Sequence, residues 1–552
     1  MKILIKNLGE RTLSGPVDLL TLSKEYEHNF KSPIVAAIVN NELRELTFTL
    51  DEKPDYEVEF LDLSSDLGMN IYIRTLSFLF AKVCYDLFPD SRIRIEHSLG
   101  DGLYCEFDDK ESLVEEDVDL IQDRMMKLVE QDIPIIKKNM PTADAITIFK
   151  EMGFEDKTRV LKYRDNPDIN IYELDGFKDY FYGYMLPSTG YLKWFRLHYY
   201  LPGVILQFPN KSNPTYVADY HEQPKLAYIF RESDRWAHIL GVPDLGSLND
   251  LIAKGEIGQV IRITEALHEK KIAEIADEIH DHHSKRIILI AGPSSSGKTT
   301  FAQRLIVQLM VNGLRPISIS LDNYFLDRDK TPLDDEGKPD FEALEAIDLR
   351  LFNQQLTRLI QGQEVIMPRY NFHTGKREYQ ENPIRIDKEQ PIIIEGIHGL
   401  NDRLTASIPK ENKYKIYISA LTQLSIDNHN RISTTDTRLL RRIVRGSWSR
   451  SADAKKTISM WPAVLRGAEK NIFPFQEEAD AMFNSALVYE LAVLKKYAVP
   501  LLKEIKTDEP EYIKANHLLK FLEYFTSLEN EEDIPATSII REFIGGSCFK
   551  HH

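Results

Sequence analysis

The chain has 552 residues, which at roughly 150 residues per domain predicts three to four domains with several buried cores. Lys and Arg total 69 against 86 Asp and Glu, a net charge of -17, which argues against a protein that coats nucleic acid by bulk charge. Hydrophobic residues make up 43% and charged residues 28%, and with no repeat period or low-complexity stretch no long disordered segment is expected.

The opening Met1-Lys2-Ile3-Leu4-Ile5-Lys6 is too short an apolar run for a secretory signal. Nothing approaches the run of about 18 apolar residues that a membrane helix needs. Cys84, Cys105 and Cys548 are widely spaced, so neither a disulfide framework nor a four-cysteine zinc site can be built. The expectation is a cytoplasmic protein without a membrane anchor, assembled as a homo-oligomer.

In chain order, residues 1–62 read as a small β-rich unit, with strands at 3–5, 34–39, 46–50 and 56–60, a turn at Asn40-Asn41 and one helix near 17–26. Residues 63–240 form a mixed α and β stretch, with an amphipathic segment at 71–87, a helical pattern at 113–131 and an aromatic-rich run at 172–200. Residues 241–284 read as a helical linker. Its end carries His280, His282 and His283; His282 faces away from the other two and no Cys completes a set, so a solvated helix end is preferred over a metal site. In residues 285–505, β-branched runs at 287–290, 317–319, 392–394 and 416–418 alternate with helices, which predicts a parallel sheet covered on both faces. Residues 506–552 read as a helical extension.

After the strand at 287–290 comes Gly292-Pro293-Ser294-Ser295-Ser296-Gly297-Lys298-Thr299-Thr300, a phosphate-binding loop in its strand-to-helix context. Small residues let backbone N–H groups turn inward around phosphate oxygens, and the following helix adds its positive end. Lys298 is expected to reach the β and γ phosphates of ATP or GTP, and Thr299 to hold Mg²⁺. Asp322 follows the strand at 317–320, taken as a neighbour of the loop, where a carboxylate can accept a hydroxyl proton and help hold Mg²⁺. Glu395 ends the strand at 392–394 and is a second metal-facing carboxylate. The window 431–456 carries a net charge of +6. Within it Arg438, Arg441, Arg442 and Arg445 share one helix face, as in a lid that closes on a transferring phosphate.

Together these pieces resemble the uridine kinase and phosphoribulokinase family of P-loop kinases over about residues 285–500. Further matching segments are Phe341-Glu342-Ala343-Leu344-Glu345-Ala346-Ile347-Asp348, Pro368-Arg369-Tyr370-Asn371-Phe372 and Asp436-Thr437-Arg438-Leu439-Leu440-Arg441-Arg442. The resemblance implies phosphoryl transfer to a hydroxyl, the ribose 5′-hydroxyl in nucleoside kinases. It implies Asp322 as general base, Lys298, Arg438, Arg441 and Arg442 as catalytic cations, and Thr299, Asp322 and Glu395 around Mg²⁺. Asp322, Glu342, Tyr370, His373 and Arg438 are the expected acceptor contacts. Glu342 stands where uridine kinases carry Asp, and Gly375 where they carry a pyrimidine-reading His. Residues 421–435 are insertion-like.

The first 240 residues resemble the N-terminal half of threonyl-tRNA synthetases, a β-grasp module of the TGS type followed by the editing-type domain. Supporting segments are Ala36-Ala37-Ile38-Val39-Asn40-Asn41-Glu42-Leu43, Asp101-Gly102-Leu103-Tyr104-Cys105-Glu106-Phe107-Asp108 and Leu186-Pro187-Ser188-Thr189-Gly190. The editing family's metal-like positions align with Arg74, Phe78, Phe181 and Met185, so neither zinc ligation nor the associated hydrolysis is expected. Tyr172, Phe177, Tyr180, Phe181, Tyr182 and Tyr184 could stack RNA bases, but core packing is the stronger reading.

The whole is expected to be a multidomain α/β protein: a β-grasp module (1–62), an α+β editing-like domain (63–240), a linker (241–284), a P-loop kinase with a parallel sheet (285–505) and an extension (506–552). The expected function is an ATP-dependent nucleoside kinase of the uridine and cytidine type. The alternatives are another small hydroxylated acceptor, such as a sugar phosphate, or a nucleotide-switched regulator that binds RNA through its N-terminal region.

Overall fold

A computed structural model describes residues 2–549 apart from 53–54, 109–112, 283, 335–336, 372–373, 388, 423 and 450–451. Strand Ile287–Ala291 is buried along its whole length because it is the central strand of five, with neighbours on both edges and helices on both faces. The order is Ile317–Ser320, Ile392–Glu395, Ile287–Ala291, Lys413–Ser419, Ala481–Asn484, and every pairing is parallel. The strand leading to Asp322 is therefore not the loop strand's neighbour, as expected, but one place further out; the strand ending in Glu395 lies between them. The carboxyl ends of all three still open on one edge, where parallel sheets bind ligands.

The N-terminal unit is a mixed five-stranded sheet in which Lys2–Ile5 pairs parallel with Asp55–Asp62, flanked by Gly9–Thr12 on one side and by Ile34–Val39 and Glu42–Glu45 on the other. This is a β-grasp arrangement. The strand expected at 46–50 is displaced: Glu42–Glu45 carries the pairing directly after the Asn40-Asn41 turn, whose two residues take the left-handed conformation of a tight hairpin. Behind it, helix Asp66–Leu87 packs against an antiparallel sheet of Arg196–Tyr200, Gly203–Gln207, Gly102–Phe107 and Ile93–Ser98. Ser65 caps that helix by accepting the Gly68 N–H.

Residues 506–549 are less helical than expected, with helices only at Tyr512–Leu522 and Arg541–Ile544. The first packs into the core that the N-terminal region shares with helix Thr434–Ser449, while Ile539 and Phe543 enter the core beneath the phosphate loop. Among the described residues no helix is long and apolar enough to cross a membrane.

Candidate active site

The phosphate loop is shaped by its own glycines. A Cβ on Gly292 would lie 1.9 Å from the Ile418 carbonyl oxygen, so only glycine fits beside that strand. Ser295 and Gly297 both adopt positive φ, 62° and 85°, which turns the backbone into helix Lys298–Val311. Lys298 Nζ donates to the carbonyls of Gly292 at 2.8 Å and Pro293 at 3.2 Å. Burial holds its pKa below the ordinary lysine value, against the pull of Glu395, Asp322 and Glu542.

Three carboxylates expected at the site share this neighbourhood. Asp322 lies in a short helical turn, Leu321–Tyr324, at the end of its strand. Glu395 is pushed up to about 7, first by burial and then by the Asp322 charge, with Lys298 opposing. Glu342 is likewise pushed up to about 7 by burial, with Arg442 and Lys298 opposing and Asp322 and Asp340 adding to the rise. It tucks against Gly467, where a Cβ would come within 2.5 Å of its own, and Asn471 Nδ2 donates to its carbonyl at 2.8 Å.

Thr299 Oγ1 donates to Glu395 Oε2 at 3.3 Å. No cluster of three or more His, Cys, Asp or Glu ligands exists among the described residues. This donor set, one hydroxyl and one carboxylate, fits Mg²⁺, which takes a few protein oxygens and completes its shell with substrate phosphates and water.

The arginine helix Thr434–Ser449 lies against the loop. Arg438 is 1% exposed, donates from Nε to the Ser294 carbonyl at 3.0 Å, and stands 5.3 Å over the Trp461 ring; burial lowers its pKa to about 10. Arg442 bonds the Ser294 hydroxyl and is electrostatically coupled to Glu342. Arg441, expected among the catalytic cations, is fully buried and committed to Glu490, the Ser485 carbonyl and the Ser295 carbonyl. Every guanidinium nitrogen of Arg441 is thereby taken, so it braces the loop rather than meeting substrate. Nor is this helix a free flap: Leu439, Leu440, Ile443 and Val444 are buried in the core shared with the N-terminal region.

On the acceptor side Tyr370 is buried, with its ring 5.6 Å from Phe325 and its N–H donating to Asn323 Oδ1. His373 and Phe372 lie outside the described residues, as does His283 of the linker. Gly375 has φ 68°, and a Cβ there would lie 2.9 Å from the guanidinium of Arg328. The place where the resemblance expected a base-reading histidine thus faces an arginine.

Residues 424–435 of the insertion-like segment 421–435 form a plug. Asp427 enters the N-terminal domain, where Lys157 Nζ lies 2.9 Å from both Asp427 Oδ1 and Asp179 Oδ1 and all three are fully buried. Tyr180 donates to Asp427 at 2.5 Å and His429 Nδ1 lies 2.5 Å from Asp179. Sequence reading missed Lys157, Glu490, Arg328 and the tail residue Glu542; the insertion itself was the one signal pointing toward Asp427.

In the region 63–240, Arg74, Phe78, Phe181 and Met185 each have a packing or hydrogen-bond partner. Phe78 and Phe181 pack edge-on at 5.6 Å, Thr75 donates to the Met185 sulfur at 3.5 Å, and Arg74 bonds the Tyr184 carbonyl at 2.9 Å. Tyr172, Phe177, Tyr180 and Phe181 are buried, which places these rings in the core rather than on an RNA-stacking face.

Residues 287–492 match the sequence model of the Phosphoribulokinase / Uridine kinase family. The N-terminal half matches threonine–tRNA ligases. That of Teredinibacter turnerae is 27% identical over 196 residues, 35% of this chain and 30% of the ligase. That of Natranaerobius thermophilus is 31% identical over 195 residues, again 35% and 30%. The chain thus spans less than a third of the length of these ligases. Among solved structures, a possible uridine kinase from Bacillus stearothermophilus shares 20% identity over 36% of this chain and 89% of its own, with a TM-score of 0.23. The D-glycerate 3-kinase of Cryptococcus neoformans shares 13% over 48% and 89%, with a TM-score of 0.22. The C-terminal half of this chain carries a P-loop kinase domain of the phosphoribulokinase and uridine kinase family, joined to an N-terminal region similar to that of threonine–tRNA ligases.

Proposed function

We propose that the protein is an ATP-dependent phosphotransferase acting on the hydroxyl of a small acceptor, with a nucleoside 5′-hydroxyl as the first candidate. The observation that carries this reading is that the strands ending in Glu395 and leading to Asp322 open on the same sheet edge as the phosphate loop, where Thr299 bonds Glu395 and both acids act on the buried Lys298. A loop with one lysine would serve an ATPase equally well; a carboxylate set beside it supplies the acceptor half of a kinase.

In this mechanism the loop amides and Lys298 hold the triphosphate. Asp322 takes the proton from the acceptor hydroxyl as its oxygen attacks the γ phosphorus, and the bond to the bridging oxygen breaks in line to release ADP. Arg442 and Arg438, held beside Ser294, offset negative charge developing on the transferred group. Thr299 and Glu395, with Asp322 nearby, would hold Mg²⁺, which would supply further charge neutralisation. Glu342, packed against Gly467 and bonded at its carbonyl by Asn471, would bind acceptor hydroxyls.

A second reading, a phosphorylated sugar as acceptor, is favoured by Arg328 at Gly375, since a guanidinium suits an anion better than an uncharged pyrimidine edge. The test is ADP release by the full chain with Mg²⁺ and ATP over a panel of nucleosides, sugars and sugar phosphates, with mass detection of product. A monophosphate formed only from a nucleoside supports the first reading, and a bisphosphate the second. Nucleotide binding with no product from any acceptor overturns both and supports an RNA-binding, nucleotide-switched regulator.

A further inference from the structure

The tail of the chain, beyond the region that matches the kinase family, returns to the phosphate loop. A Cβ on Gly297 would lie 2.6 Å from Ile539 Cγ2, so the tail touches the loop's last glycine. Three residues on, Glu542 is 3% exposed. Its Oε2 accepts from the Thr300 hydroxyl at 2.8 Å and from the Thr300 N–H at 3.3 Å, in the first turn of the loop helix. Its Oε1 accepts from Arg445 Nη1 at 2.7 Å. Trp448 Nε1 donates to the Phe543 carbonyl at 2.6 Å, and the Phe543 ring lies under Arg441 at 4.9 Å and Arg445 at 5.4 Å.

We propose that Glu542 is a positioning residue of the nucleotide site, tying the first turn of the loop helix to the arginine helix so that the tail completes the donor pocket. The two elements it joins carry Lys298 and Thr299 on one side and Arg438 and Arg442 on the other. A carboxylate in the first turn of a helix is favoured by the helix dipole. The same carboxylate pairs with Arg445 in a nearly dry setting, so each partner fixes the other's place. The proposal rests on the reading of this loop as the ATP site.

The test is calorimetric binding of the non-hydrolysable analogue AMP-PNP with Mg²⁺ to the full chain, beside thermal melting of each variant. Glu542→Ala is expected to weaken binding about tenfold, Arg445→Ala by a similar factor, and the double variant by no more than the larger single effect, because one coupled pair is lost once. Glu542→Asp, which keeps the charge, should recover part of the loss. A folded Glu542→Ala variant that binds within about twofold of the parent, or fully additive single effects, overturns the proposal. Should Glu542→Ala not fold, Glu542→Gln decides: it keeps an acceptor for Thr300 and loses the charge facing Arg445, so unchanged affinity counts against the proposal and weakened affinity supports it. Lys298→Ala is the control for the underlying reading; if that variant still binds the analogue, the ATP site itself is misassigned, whatever Glu542 does.

Discussion

Lys157 and Asp427 lie 270 positions apart in the chain and meet at 2.9 Å with no exposure to solvent. The ammonium also faces Asp179 at 2.9 Å, and the two carboxylates raise its pKa although burial alone would lower it. The contact joins the N-terminal region to the segment leading into the arginine helix. Lys157→Met leaves both acids buried without a cation and is expected to cost about 3–5 kcal/mol, read as a lower denaturant midpoint. An unchanged midpoint would show that the two halves are not held by this pair.

Asp322 and Lys298 separate chemistry from binding. Asp322→Ala is expected to lower acceptor phosphorylation by roughly 10²–10⁴ while leaving nucleotide affinity near the parent value. Single-turnover rates beside calorimetry measure both; phosphorylation at the parent rate removes Asp322 from the role of base.

Two neighbouring arginines should behave differently. Arg442→Ala is expected to reduce the turnover number by about 10³ with little change in melting temperature, since its partner Ser294 is only half-buried. Arg441→Ala strands the buried Glu490 carboxylate and should instead lower stability by about 3–5 kcal/mol. The reverse pattern would exchange their roles.

Glu342 gives a pH signature. Burial pushes its folded pKa up to about 7, above the ordinary glutamate value, so between those values the folded state holds a proton that the unfolded state has released. Stability from this group is therefore present at low pH and lost as pH rises through about 7. Melting curves of the nucleotide-free protein from pH 5 to pH 8 should fall less steeply for Glu342→Gln than for the parent. Parallel curves would mean that Glu342 titrates normally.

The packing of the buried Phe78 on Phe181 predicts that Phe78→Ala creates a cavity and costs about 3–5 kcal/mol by thermal unfolding. Elemental analysis of the purified full chain is expected to show no stoichiometric zinc. Zinc retained at one equivalent would contradict the apolar packing of Phe78 on Phe181.

The phosphate loop, the carboxylate after each of two strands, the arginine helix and the alternation of strand and helix were legible in the sequence because each is local. Loop geometry follows from consecutive small residues, and strand and helix follow from periodicities of two and 3.6 residues. Strand order was not legible: pairing between Ile317–Ser320 and Ile392–Glu395 is decided by how the connections cross the sheet, so Asp322 was placed one strand too near the loop. The sequence by itself also could not separate Arg441 from Arg442, which stand side by side on one helix. Only packing commits the first to Glu490 and leaves the second beside Ser294 and Glu342. In the same way Lys157 with Asp427, and Glu542 with Thr300, are partners that chain distance hides. Charge pairs in a dry interior depend on where the chain returns in space, and no local pattern records that return.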